Sequence, residues 1–220
     1  MRYQGVQSGT RISGKRLCLK ATQQTSLLET EQSTYQEINH NRNTLAQELL
    51  DMATKVGQVG SKASEEKRQS LVYLASKLIP LSDASPARKI LEGSHQLIYS
   101  ASSGGSSGAV GPFVGKVEQR FKNEKEFFNV VMFPGVEIQL LAERSIMDDT
   151  RIKVKFVETT LSLFGVNVKK FPVKGVGVWK QLFVGEVNVV LPGKENEEPR
   201  RTLLRVMEAP SLFIIIKDLN

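Results

Sequence analysis

From residue 91 onward the chain is a run of short stretches in which apolar and polar residues alternate, divided by turn residues and never by a helical pattern. Phe113, Gly115, Val117, Gln119 and Phe121 alternate with Val114, Lys116, Glu118 and Arg120. Val136, Ile138, Leu140 and Ala142 do so with Glu137, Gln139 and Glu143, and Ile152, Val154 and Phe156 with Arg151, Lys153 and Lys155. A period of two puts one set on each face of a sheet, one buried and one wet. Consecutive strands joined by short turns become antiparallel neighbours, because a parallel pair needs a long crossover. About nine such runs lie between residues 91 and 220, with Gly165 and Gly185 read as breaks between strands. That number predicts an up-and-down barrel or a strongly curved sheet, and a barrel of roughly eight to ten strands can enclose a small apolar ligand. Residues 127–133, FFNVVMF, are apolar on both faces, so one set is expected in the lumen and the other beneath helices.

Residues 24–80 supply those helices. Tyr35, Ile38, Leu45, Leu49, Met52 and Val56 recur at spacings of three and four with Arg42 in the gap, which is one stripe on a helix. Gly57 and Gly60 end it. Ser64 caps a second helix with Glu65 and Glu66 in its first turn, where the helix dipole favours negative charge. Leu71, Val72, Leu74, Ala75, Leu78 and Ile79 form its apolar face, and Pro80 stops it. A helical hairpin covering one side or end of the sheet is the expected arrangement.

The net charge of +7 is concentrated at the start: residues 1–28 hold five Arg or Lys and no acid, leaving +2 for the rest. A body so nearly balanced gives little reason to expect a phosphate-binding face, and no nucleic-acid partner is expected. An acid-free leader with Ser8, Thr10 and Ser13, ending near Cys18–Ala21, suits an organelle transit peptide over residues 1–22, with a disordered basic tail as the alternative. Its Cys18 is the single cysteine, so neither a disulfide framework nor a thiolate metal site is expected. No apolar run reaches the roughly 20 residues of a spanning helix.

Catalytic patterns are sparse. Residues 104–108, GGSSG, fit the Gly-x-Ser-x-Gly pattern by letter. The nucleophile elbow needs a helix next, and Val110, Gly111 and Pro112 follow instead. A flexible loop is the reading. Two separated histidines, His40 and His95, offer no metal-ligand spacing. Glu118, Glu126 and Glu143 sit at polar-face positions, where solvated carboxylates are the expectation.

The order of these segments resembles the plastid lipid-associated protein, or fibrillin (plastoglobulin), family from about Leu45 to the C-terminus. Residues 91–100, LEGSHQLIYS, resemble its Gly-x-Trp-x-Leu-x-Tyr strand, with His95 at the Trp position. Gly115–Gln119 and Asn129–Val131 are similar to its next two strands. Residues 204–206 and 212–215 resemble its closing Leu-Arg-Ile and Phe-Val-Leu hairpin, although Leu203 stands where an acid is common. The resemblance implies a mainly β fold: an antiparallel lipocalin-like barrel at 91–220, preceded by the helical hairpin, with 24–220 as one domain. It also implies plastid import, association with plastoglobules or thylakoids, binding or organising of prenylquinones, carotenoids and other lipids, and no catalysis, cofactor or metal. By carry-over, Gly93, His95 and Arg205 sit where the barrel closes, with a hydrogen bond replacing the usual Arg-on-Trp contact.

The leading functional expectation is therefore burial of an apolar ligand, or docking of an apolar rim on a lipid surface. Phe113, Val117, Phe127, Val131, Phe156, Phe164, Trp179 and Phe183 are the expected lining residues, with His95 and Arg205 added by the resemblance. One alternative is a barrel enzyme acting on a lipid through His95 or the glutamates. Another is a protein partner bound through the helical stripe at 35–56.

Overall fold

The computed structural model describes the backbone of residues 13–194 and 196–220, and side chains from residue 32 onward apart from residue 195. The leader at 1–22 lies outside the residues with described side chains. The chain divides into two units, Met1–Asn41 and Arg42–Asn220. Helix α1, Ser13–Val56, begins in the first and ends in the second.

In the second unit α1 stops where Gly57 turns to a positive φ of 89°, a conformation that is cheap only without a Cβ. The Gly57 N–H still reaches the Ala53 carbonyl, 2.9 Å away. Helix α2, Glu65–Leu78, starts as its sequence predicts: the Ser64 hydroxyl accepts from the Lys67 N–H, and Glu65 and Glu66 occupy the first turn. Between the helices Gly60 lies directly under the Tyr99 ring, leaving no room for a side chain.

Ten strands follow among the described residues: β1 Gly93–Ser100, β2 Ala109–Val110, β3 Phe113–Val114, β4 Lys116–Phe121, β5 Glu126–Phe133, β6 Val136–Ile146, β7 Arg151–Leu163, β8 Val166–Val189, β9 Arg200–Glu208 and β10 Leu212–Asp218. Eight of them form a closed ring in the order β1-β10-β9-β8-β7-β6-β5-β4, every pair antiparallel. Closure rests on β1, whose Gln96 faces Ile216 of β10 on one side and Glu118 of β4 on the other. Strands β2 and β3 form a separate small ribbon.

Two features depart from the alternation read in sequence. Gly165 is a turn, but Gly185 does not end a strand. It stays inside β8, opposite Leu204, and the Phe183 ring lies 2.9 Å from where its Cβ would be. Strand β8 is accordingly 24 residues long and serves two neighbours in succession: its first part pairs with β7 and its last with β9, the changeover falling at Lys180, which faces both Arg151 and Glu208. Bulges between Leu97 and Tyr99, Phe156 and Glu158, and Gln181 and Phe183 shift the register. Each inserted residue reverses which side chains point inward.

The helices cover the outer face of β1, β10, β9 and β8, not that of β5. Leu49, Leu50 and Ala53 of α1 join Leu71, Ala75 and Leu78 of α2 and the outward-facing Ile98, Phe183, Val206 and Ile214 in one buried cluster. Gln47 secures the contact: its Oε1 accepts from the Val190 N–H at 2.7 Å, and its Nε2 donates to the Val190 carbonyl at 3.3 Å. A second cluster fills part of the barrel interior around Leu97, Val117, Phe127, Val154, Trp179 and Ile215. Ala87, in the short turn Pro86–Arg88, belongs to it and plugs one end. The plug is tied down by the Ala87 N–H on the Asp149 carbonyl and by Arg144 Nη2 on the Ala87 carbonyl, at 2.8 and 2.9 Å.

Candidate lipid-binding cavity

Above the plug the interior is not filled. A cavity of about 610 Å³ occupies the barrel, walled by inward side chains of β1, β4, β5, β6, β7, β8, β9 and β10. Leu97, Val117, Val131, Phe156, Trp179 and Ile215 represent its walls; Ser106 and the Ala209–Pro210 turn line it from the loops. The volume lies in the range of small-molecule sites, roughly 300–1,000 Å³, and such sites are apolar with a few placed polar groups.

The aromatic base of the cavity is built by contact. Phe121 stacks on Phe127 with centroids 5.4 Å apart, and Phe127 meets Trp179 edge-on at 5.7 Å. Beneath them lies Arg205, 1 % exposed, its guanidinium 5.3 Å from the centre of the Phe121 ring. With His95 at the family's Trp position a hydrogen bond is expected in place of the cation–ring contact; Phe121 supplies an aromatic face to Arg205 all the same. His95 takes the edge of the same ring at 5.1 Å. Its Nε2 donates to the Glu92 carbonyl at 3.2 Å, while Nδ1 is buried without a partner. Burial, followed by the Arg205 charge, pushes the His95 pKa down to about 3, so the ring is neutral at physiological pH. Burial likewise pulls Arg205 down to about 9, with the Arg144 charge adding to the effect. Arg205 remains cationic at neutral pH.

Of the ten residues expected at the site, Val117, Val131, Phe156 and Trp179 line the cavity. Phe127, His95 and Arg205 lie in the base beneath it. Phe183 points outward into the helical cluster, because the bulge after Gln181 reverses the alternation. Phe113 is in the β3 ribbon, 67 % exposed, and Phe164 is at the β7–β8 turn, 89 % exposed. Gln119 and Asn129 also line the cavity, although neither is apolar. Their inward parity was readable from the alternation; their role was not, because it depends on a cation distant in sequence.

Groups suited to acid–base chemistry lie elsewhere. Glu118 is held by Ser94, Lys116 and Arg120, Glu126 by Lys122, and Glu143 by Lys155. None of the three, nor His95, lines the cavity. The GGSSG segment forms a single turn, Gly105–Ser107, followed by strand β2. Gln58 Nε2 ties it to the barrel by donating to the Ser107 and Gly115 carbonyls, both at 2.8 Å. The proposed partner-binding stripe is partly used up: Leu49 is fully buried, and Leu45, Met52 and Val56 pack against the same cluster.

A closed antiparallel ring around an apolar cavity, helices on one flank, is a lipocalin-like architecture. The family model PAP_fibrillin matches residues 43–199, spanning the end of α1, α2 and the ring through most of its strands. The chain belongs to this family of plastid lipid-associated proteins, the fibrillins. Comparison with curated proteins and with solved structures gives no match.

Proposed function

We propose that this protein holds a small apolar molecule of the prenylquinone, carotenoid or related lipid type in its barrel, without transforming it. The observation that carries this reading is the 610 Å³ cavity, whose walls are carbon apart from a few amides and hydroxyls. Burying about 300 Å² of ligand at about 25 cal/mol per Å² contributes about 7.5 kcal/mol before the cost of association. An isoprenoid too long for this space would keep its ring inside and leave its tail past Ser106 and Pro210.

The exposed β7–β8 hairpin suits the lipid surface from which such a ligand comes. Leu163, Phe164, Val166 and Val168 present an apolar tip, and Lys169, Lys170 and Lys174 follow it on β8, a pattern that favours an anionic bilayer or lipid-body coat. Import through the leader at 1–22 and residence at plastoglobules or thylakoids complete the proposal.

The test uses the only tryptophan, Trp179, which lines the cavity. Titration with plastoquinone-type ligands should quench its emission saturably, and lipids extracted from the native protein should be enriched in one apolar class. A native protein that carries no lipid and shows no quenching would overturn the reading.

A further inference from the structure

Three polar side chains cross the cavity base in a line. Arg205 Nη1 donates to Gln119 Oε1 at 2.9 Å, and Gln119 Nε2 donates to Asn129 Oδ1 at 3.1 Å. Gln119 and Asn129 are directly opposed on β4 and β5, and both reach the cavity wall. Arg205 is buried behind them, and among the described residues it has no carboxylate partner.

The direction of this chain is fixed by chemistry. A guanidinium has only donors. It therefore requires the oxygen of Gln119, which turns the Gln119 amide nitrogen toward Asn129. That nitrogen in turn requires the oxygen of Asn129, which leaves Asn129 Nδ2 as the free end. No protein acceptor among the described residues takes it. A buried cation thus sets the polarity of two amides and makes the cavity wall a hydrogen-bond donor.

Resting on the container reading above, we infer that the cavity selects apolar molecules ending in a hydrogen-bond acceptor, a carbonyl or carboxylate oxygen, which sits on Asn129 Nδ2, and rejects those ending in a cationic donor. A carbonyl completes the relay. A carboxylate does so as well and also answers the uncompensated Arg205 charge. An ammonium group would meet a donor backed by a cation, a repulsion made worse by the apolar surroundings.

The experiment follows Trp179 emission in the full chain titrated with three probes of equal chain length below their micelle concentrations: 2-tetradecanone, myristate and tetradecylamine. The two acceptors should bind at least about tenfold more tightly than the amine, the factor expected of one well-made hydrogen bond set against repulsion. Myristate tighter than the ketone, with the gap closing in Arg205→Met, assigns the site to an anion; equal affinities assign it to a neutral carbonyl. In Asn129→Leu, checked for folding by circular dichroism, the preference should collapse to within about twofold while binding persists. Amine bound as tightly as the acceptors by the unaltered protein, or a preference that survives Asn129→Leu, overturns the inference and leaves the container reading standing. No response to any probe overturns both.

Discussion

Arg205→Met isolates what the buried cation does to the fold. Removing the guanidinium abolishes the burial penalty and the Arg144 repulsion that together carry its pKa from the ordinary range down to about 9, which at about 1.4 kcal/mol per tenfold is a gain of the order of several kcal/mol. Against this stand the charge-assisted hydrogen bond to Gln119, worth about 1.5–3 kcal/mol, and the contact with Phe121, worth about 0.5–2 kcal/mol. The two sides nearly balance, so the variant should range from unchanged to about 2 kcal/mol more stable in urea unfolding at pH 7. The pH dependence has a definite sign. Between about 9 and the ordinary guanidinium value the unfolded chain binds the Arg205 proton more tightly than the folded one, so that group's penalty is full below pH 9 and fades as pH rises. The advantage of Arg205→Met over the unaltered protein should therefore shrink from pH 9 to pH 10.5, other titrations cancelling in the difference. A loss of more than about 2 kcal/mol at pH 7 would refute the reasoning and make Arg205 a structural keystone.

Other consequences are equally direct. Gly60→Ala forces a methyl into the Tyr99 ring and should cost about 1–3 kcal/mol in urea unfolding by overpacking. Val131→Phe adds a ring to the cavity wall; it should weaken quenching of Trp179 by bound lipid at least about tenfold while changing stability by less than about 2 kcal/mol, because the added volume enters empty space. Phe164 has a φ of 46° and is 89 % exposed. Phe164→Gly should raise stability slightly, by up to about 1 kcal/mol, and lower co-flotation with anionic vesicles; unchanged flotation would remove the hairpin from the proposed docking.

The antiparallel ring, the helical pair and the capped start of α2 were all legible in sequence, because each follows from local rules: period two, spacings of three and four, a serine before two glutamates. The cavity was legible only in part. Val117, Val131, Phe156 and Trp179 follow strand parity into the lumen, but Phe183 does not, since the bulge after Gln181 reverses that parity and no residue type announces it. Phe113 carries the right chemistry, yet β3 leaves the ring before the alternation that includes it reaches β4. Phe164 reads as the end of a strand and is instead the turn.

The sequence alone determined that this polypeptide becomes strands paired in chain order with helices on one flank, since hydrophobic alternation and turn residues act over a few positions. Only the tertiary structure decided that the ring closes through β1, that its interior is left open above an Ala87 plug, and that Arg205 lies behind Gln119 and Asn129. Those outcomes depend on register, bulges and contacts between residues far apart in the chain, 86 positions for Arg205 and Gln119 and 120 for Gln96 and Ile216, where no local pattern carries the information.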